Sequence, residues 1–112
     1  MTDFALFDVT IKYDGRTAST HPSTVTVAGE VDLVTAPRLR QALVEILEAG
    51  EADAVVDLSA VEFIDASGIG VLVWAAHEAN DRGGRLTLRQ PSPAVRLVLG
   101  LVELNGALHI EA

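Results

Sequence analysis

Residues 55–73 read VVDLSAVEFIDASGIGVLV, and this stretch decides the fold class of the chain. It begins inside a largely apolar run at residues 54–58, which is typical of a strand that is covered on both faces. From Ser67 onwards the apolar residues recur at helical spacing, which predicts a helix that ends near Arg82. A buried strand that leads directly into a helix is the repeating unit of α/β proteins, so we expect that class here.

Similar patterns place the other elements on either side of this stretch. Further strands are predicted at residues 7–13, 24–28, 85–89 and 107–110, and a last helix at residues 93–101. The first helix is expected to lie between an N-cap at Thr35 and a stop at Gly50, and Gly29 is expected to end the second strand. A hairpin followed by alternating helices and strands predicts a mixed sheet with helices packed on it.

The composition indicates one globular domain over residues 1–112. Hydrophobic residues make up 49% of the chain but aromatic residues only 4%, so aliphatic side chains must fill the core. The chain contains no cysteine, which excludes disulfides, thiolate metal sites and cysteine nucleophiles. Its formal net charge is −8, and an acidic surface repels nucleic acids and anionic membranes. We therefore expect neither of these as a partner.

Targeting signals are not recognisable in the sequence. Residues 1–4 lack the basic start and apolar segment of a signal peptide. The longest uninterrupted apolar run, residues 68–76, is far shorter than the roughly 20 residues that a membrane helix needs. The expected location is the cytoplasm, a reducing compartment that suits a chain without cysteine.

Ser67 stands where the buried strand passes into the second helix. We expect it at or near the N-cap, where its hydroxyl could accept from backbone N–H groups that have no helical partner. The same N–H groups and the helix dipole would receive a phosphoryl group carried by this hydroxyl. Gly68 and Gly70 remove side-chain bulk from the first turn, so another protein could approach Ser67 closely. A serine that only caps its helix is the simpler alternative.

The second helix has two apolar faces at helical spacing. The face expected to pack on the sheet contains Ile69, Leu72, Val73 and Ala76, and the other contains Ser67, Val71, Trp74 and Glu78. The single tryptophan thus lies on the stripe that begins at Ser67. Two interpretations stay open: the stripe is an exposed partner surface, or Trp74 is covered by the C-terminal helix.

Three segments together resemble the STAS family (sulphate transporter and anti-sigma-factor antagonist). They are GEVDL at residues 29–33, the stretch at residues 55–72 with DASGIG at its centre, and residues 83–95, which end in the PSP motif. The resemblance covers nearly the whole chain and is strongest to the stand-alone bacterial anti-sigma-factor antagonists. It implies the family fold, a small, mostly parallel mixed sheet of four to five strands flanked by three to four helices.

The resemblance also implies a function for Ser67. In such proteins the matching serine is phosphorylated by an anti-sigma factor that is itself a serine kinase. The unphosphorylated form binds that kinase and frees a sigma factor, and a serine phosphatase reverses the modification. This sequence departs from many relatives at Ala66, where they have a second serine, so Ser67 is the only acceptor in the motif.

The resemblance further implies a partner-binding surface around Ser67, in which Asp32 and Asp65 match acidic positions near the phosphorylation site. The residues predicted for this surface are Asp32, Leu33, Asp65, Gly68, Ile69, Gly70, Val71 and Trp74. Other small STAS proteins suggest an alternative with the same fold: an accessory subunit that binds the ATPase of a lipid transporter, or a signalling scaffold. In either role the serine need not be phosphorylated.

Enzymatic functions fit the sequence poorly, and we expect no catalytic activity, metal or cofactor. Residues 65–69 lack the outer glycines of a hydrolase nucleophile elbow, and no histidine is placed near Ser67 by the sequence. A response-regulator receiver would need an acidic pair after the first strand and a late lysine, whereas Lys12 is the only lysine. The segment at residues 68–70 lacks the lysine of a P-loop, and no carboxylate or histidine cluster has metal-ligand spacing.

Overall fold

The computed structural model describes residues 9–14, 23–50, 53–102 and 108–111. These residues form five strands and three helices in alternating order after the first two strands. The elements are β1 (Val9–Asp14), β2 (Ser23–Val31), α1 (Ala36–Glu48), β3 (Asp53–Ile64), α2 (Ala66–Asp81), β4 (Arg85–Arg89), α3 (Pro93–Val102) and β5 (His109–Glu111). Residues 7 and 8 of the first predicted strand and Ala107 of the last lie outside the described residues.

The five strands form one sheet in the order β1-β2-β3-β4-β5. Strand β1 runs antiparallel to β2, whereas β2, β3, β4 and β5 are mutually parallel. The mixed, mostly parallel α/β sheet expected from the sequence is therefore confirmed. Parallel neighbours need a crossover connection, and α1, α2 and α3 each lie in one of the three crossovers.

The core contains residues of β2, β3 and β4 and of all three helices. In β4 the buried positions alternate, as the period of a strand requires, whereas in β3 the consecutive residues 54–56 are all buried, as expected for a strand that is covered on both faces. The helix members recur mostly three or four positions apart. Fully buried side chains of this core include Val25, Val27, Val56, Leu58 and Leu88 from the strands and Leu39, Leu43, Leu72 and Leu99 from the helices. Aliphatic residues thus fill the core, in agreement with the scarcity of aromatic residues.

Two strands are longer than their sequence patterns predicted. Gly29 does not end β2 as expected, because its positive φ of 104° accommodates an irregularity in the pairing with β3, and the strand continues to Val31. The predicted apolar run ends at Leu58, but strand β3 continues to Ile64. The predicted stop at Gly50 is confirmed, since Gly50 follows α1 with a φ of 90°.

The extension of β2 and β3 determines where their following turns lie. Val31 and Ile64, the last residues of the two strands, are paired neighbours in the sheet. Asp32 and Asp65 therefore leave the sheet side by side, at the carboxyl edge of the parallel strands, where α1 and α2 begin. No helix within the described ranges is long and apolar enough to cross a membrane.

Candidate functional site

The candidate site consists of the two turns that follow β2 and β3. The backbone N–H of Asp65 donates to the carbonyl of Val31 at 3.0 Å, which joins the second turn to the end of β2. The two segments around Asp32 and Asp65, distant in the sequence, are thus held together by the sheet. The family resemblance implied that both acidic residues lie near Ser67, and the pairing of β2 with β3 brings their two turns together.

Asp65 is the N-cap of α2. Its backbone is extended, and its Oδ1 accepts from the N–H groups of Ser67 at 2.8 Å and Gly68 at 3.2 Å. Ser67 lies near the N-cap, as expected, but its hydroxyl does not cap the helix, because the carboxylate two residues earlier already accepts from the first free N–H groups. Aspartate is as good an N-cap as serine, and its charge also favours the positive end of the helix.

Because Asp65 caps α2, the side chain of Ser67 is not needed to cap the helix. Ser67 occupies the second position of α2 and is half-buried. Among the described residues, its hydroxyl has no hydrogen-bond partner, whereas its backbone N–H is bound to Asp65. A hydroxyl at a helix start that is not used for capping is available to an incoming phosphoryl donor.

The two glycines after Ser67 have different roles. A Cβ on Gly68 would lie 2.6 Å from Cγ1 of both Ile64 and Val31, so this glycine lets α2 approach the sheet. A Cβ on Gly70 would meet nothing within 4 Å. Gly70 is exposed and leaves the surface beside Ser67 open, as the sequence predicted for both glycines.

Two of the residues predicted for the partner surface are turned into the molecule. Gly68 is buried, and Ile69 retains only 5% of its exposure because it packs in the core. Both residues lie beneath the predicted partner surface, and neither has a side chain that a partner could contact. The accessible part of the predicted set consists of Asp32, Leu33, Asp65, Gly70, Val71 and Trp74.

The first turn is fixed by its own side chains. Oδ1 of Asp32 accepts from the backbone N–H groups of Val34 at 2.9 Å and Thr35 at 3.0 Å. The bond from the Thr35 backbone N–H, together with the other hydrogen bonds in this turn, holds the pKa of Asp32 below its ordinary value, although desolvation acts in the opposite direction. Asp32 is therefore an anchored, ionised carboxylate at the edge of the site.

Thr35 completes this turn from the inside. It retains only 2% of its exposure, and its hydroxyl donates to the carbonyl of Glu30 at 2.8 Å and accepts from the N–H of Asp32 at 2.9 Å. Thr35 does stand at the N-cap position of α1, as predicted, but its side chain makes no cap hydrogen bond. The spacing of an aspartate and a threonine three residues later could have indicated this turn from the sequence.

The stripe from Ser67 along α2 reaches a contact with α1. Val71 and Trp74 are half-buried and pack against the core, and the guanidinium carbon of Arg40 lies 4.1 Å from the centre of the Trp74 ring. The side chain that lies over the ring thus comes from α1. Arg40, which the sequence analysis missed, places a cation on a surface whose other end is acidic.

Neither of the two histidines within the described ranges lies near the Ser67 hydroxyl. His77 lies ten residues after Ser67 on α2, about 15 Å along the helix axis, so it cannot act as a base for Ser67. His109 lies on the edge strand β5 and pairs with Thr87, which is level with Val55, nine residues before the end of β3 that leads to the site. Within the described part of the chain, no group of three or more His, Asp or Glu residues could hold a metal ion.

With this geometry in place, comparison with known proteins gives the family. The family model described as "Mlab, STAS domain" matches residues 15–110. The chain belongs to the STAS family. The match extends over nearly all of the chain and includes both turns of the candidate site.

Relatives of this STAS protein are similar in sequence and in structure. It is 34% identical over 88 residues to the anti-sigma-B factor antagonist of Bacillus subtilis, which corresponds to 79% of this chain and 80% of that protein. The crystal structure of an anti-sigma factor antagonist from Mycobacterium paratuberculosis superposes with a TM-score of 0.80 at 29% identity, over 92% of this chain and 85% of the other. The Bacillus cell fate determinant SpoIIAA in its phosphorylated form shares the fold, with a TM-score of 0.67 at 21% identity over 92% of each chain.

Proposed function

We propose that this STAS protein is an anti-sigma factor antagonist controlled by phosphorylation of Ser67. In the unphosphorylated state it binds an anti-sigma factor that is a serine kinase, in the cytoplasm, and thereby releases a sigma factor. Phosphorylation of Ser67 by that kinase ends the binding, and a serine phosphatase restores it. The protein thus acts by binding rather than by catalysis.

The free hydroxyl of Ser67 is the observation that carries this proposal. Asp65 caps α2, so the serine hydroxyl has no structural partner among the described residues and can be modified without loss of a helix cap. Exposed Gly70 leaves the approach to the hydroxyl open. The relatives named as anti-sigma factor antagonists support the same function.

The electrostatics of the site explain how one phosphate could act as a switch. Phosphorylation adds about −1.5 to −2 charges at neutral pH. Ser67 lies two residues from the Asp65 carboxylate, which already accepts from the N–H groups of Ser67 and Gly68. A partner that closes over this site would bury a dianion beside a carboxylate. An unpaired buried charge costs about 3–5 kcal/mol, which weakens binding about a hundredfold to several thousandfold.

Phosphate mapping with purified kinases tests the proposal. The chain is incubated with ATP and each candidate anti-sigma kinase of its organism, and the added mass is located by peptide fragmentation. We expect one phosphoryl group on Ser67, none on Ser67→Ala, and normal modification of Ser59→Ala. Ser59 is a suitable control because it is also exposed on β3, but its hydroxyl is bound to Asp57 at 2.7 Å. Modification of Ser67→Ala at the wild-type level would contradict the proposal.

A second candidate function uses the same surface without the switch. The matching family model is described as a STAS domain and not as an antagonist, so the second candidate is the alternative that the family resemblance suggests, a subunit that binds the ATPase of a lipid transporter or a signalling scaffold. Such a protein would form a complex that survives ATP, with Ser67 unmodified. The phosphorylation assay separates the two candidates, and the curated relatives favour the antagonist.

A further inference from the structure

The turn between β2 and α1 exposes two consecutive apolar side chains. Leu33 and Val34 are 74% and 75% exposed, the highest values among the large hydrophobic residues of the described chain. The other exposed members of this class are Phe63 at 49% and Leu97 at 69%, and neither has a second exposed large hydrophobic residue next to it in the sequence. Single exposed apolar residues are common on protein surfaces, whereas an adjacent pair beside a candidate site indicates a contact surface.

The backbone of this turn is fixed, so the exposure of the pair is built into the fold. Asp32 accepts from the N–H groups of Val34 and Thr35, and the carbonyl of Asp32 accepts from the N–H of Ala36 at 2.7 Å. The buried hydroxyl of Thr35 ties the turn to Glu30. Because the backbone is already ordered, a partner that covers these side chains has little loop entropy to overcome.

The pair is continuous with the Ser67 site. Val31, which precedes the turn, accepts the N–H of Asp65 and contacts the position of Gly68. The turn and the first residues of α2 are thus parts of one rigid edge. Leu33 and Val34 thus lie in the turn that is joined to the start of the helix carrying Ser67.

We propose that Leu33 and Val34 form the anchor by which the protein selects its kinase partner, an inference that rests on the function proposed above. The anchor fits an apolar pocket with basic side chains at its rim, because Asp32 directly precedes the pair, Asp65 begins the neighbouring turn, and the chain carries a net charge of −8. In this arrangement the phosphorylation state of Ser67 determines whether the protein binds. Leu33 and Val34 contribute affinity and determine which of several related kinases is bound.

Binding measurements with a matched control test the anchor. The probe is the kinase that modifies Ser67 in the assay above, held with a non-hydrolysable ATP analogue, and its Kd is measured by titration calorimetry. For Leu33→Ser/Val34→Ser we expect the Kd to rise at least about thirtyfold, since each buried aliphatic side chain contributes about tenfold or more. Leu97→Ser, an equally exposed aliphatic residue on α3, should change the Kd by less than about threefold.

Other outcomes would overturn the anchor without affecting the proposed function. If the double variant binds within about threefold of the wild type while Ser67 is still phosphorylated, the anchor is wrong and the switch stands. An equal loss for Leu97→Ser would show a general surface effect. If the wild-type chain forms dimers that the double variant abolishes, with kinase affinity unchanged, the pair is a self-association surface. Thermal unfolding of both variants should match the wild type, because the substituted side chains are exposed.

Discussion

The carboxylate of Asp65 caps α2 by accepting from the backbone N–H groups of Ser67 and Gly68, so the hydroxyl of Ser67 has no part in the cap. This separation matters for the proposed function, because a serine hydroxyl that capped its own helix would lose that hydrogen bond on phosphorylation. In the proposed switch, the phosphate acceptor and the helix cap are therefore different residues.

Loss of the cap should destabilise the protein by a measurable amount. We expect Asp65→Ala to lower the free energy of unfolding by about 1 kcal/mol, because two N–H groups at the start of α2 lose their acceptor. Asp65→Asn keeps an oxygen in the same place and should cost only a few tenths of a kcal/mol, roughly the scale of a helix-dipole contact. Urea denaturation measures both values. Equal losses for the two variants would show that the charge, and not the cap, is responsible.

The lowered pKa of Asp32 predicts a pH dependence with a definite sign. The native pKa lies below the ordinary value of 3.8, so the ionised carboxylate is favoured by folding. This contribution is fully present above 3.8 and is lost as the pH falls through the lower native pKa. In Asp32→Asn the same N–H bonds can form without a titrating group, so the stability difference between wild type and variant should shrink from pH 5 towards about pH 2.

Carbon-detected NMR titration of the Asp32 carboxyl checks the same point directly. The native midpoint should lie below that of an unfolded peptide containing residues 30–36. A native midpoint at or above the peptide value would contradict the role given to the Thr35 N–H bond.

At the scale of elements, the packing of α2 on the sheet depends on one glycine of the motif. Gly68→Ala would place a methyl group against Cγ1 of Ile64 and Val31, whose branched side chains have little rotamer freedom. We expect a loss of stability of about 1–3 kcal/mol. Gly70→Ala is the matched control, since its methyl group meets nothing within 4 Å, and it should stabilise α2 by about 0.5–1 kcal/mol.

Denaturation of the two alanine variants in parallel distinguishes the explanations. Opposite signs for the two substitutions would support internal packing as the reason for Gly68. A neutral or stabilising effect of Gly68→Ala would instead indicate that α2 can move away from the sheet without cost. In that case the close approach of Gly68 to Val31 would not be what holds the two turns together.

Element types and their order could be predicted from the sequence, but the composition of the site could be predicted only in part. The pattern around Ser67 indicated the strand-to-helix transition, and Gly50 gave the end of α1. The continuation of β2 beyond Gly29 could not be predicted, since it depends on a pairing irregularity with β3. The burial of Ile69 was indicated by its place on the helix face expected to pack on the sheet, although Ile69 was also assigned to the partner surface. The Arg40–Trp74 contact could not be predicted, because it depends on the packing of distant elements, which local periodicity does not contain.

At the scale of the whole molecule, the sheet order converts two short motifs into one surface. Strands β2 and β3 are parallel neighbours, so their carboxyl ends bring the Asp32 turn and the start of α2 together at one edge. The core lies under this edge and fixes both turns through Val31, Ile64 and Ile69. A chemical change at Ser67 therefore alters the surface without requiring a rearrangement below it.

Phosphorylation should accordingly leave the fold intact. The helix N-terminus favours the phosphate by about 0.3–1 kcal/mol, and repulsion from Asp65 opposes it by a similar amount. We expect the free energies of unfolding of the two forms to agree within about 1 kcal/mol and their circular dichroism spectra to coincide. A substantial loss of helical signal in the phosphoprotein would contradict a switch confined to the surface.

The central claim, that phosphate on Ser67 ends partner binding, is tested most directly by titration calorimetry of one kinase with two forms of the chain. We expect the Ser67-phosphorylated protein to bind the kinase at least about a hundredfold more weakly than the unphosphorylated protein does. In the presence of ATP, Ser67→Ala should bind the kinase as tightly as the unphosphorylated protein. Equal affinities for the phosphorylated and unphosphorylated forms would contradict the account.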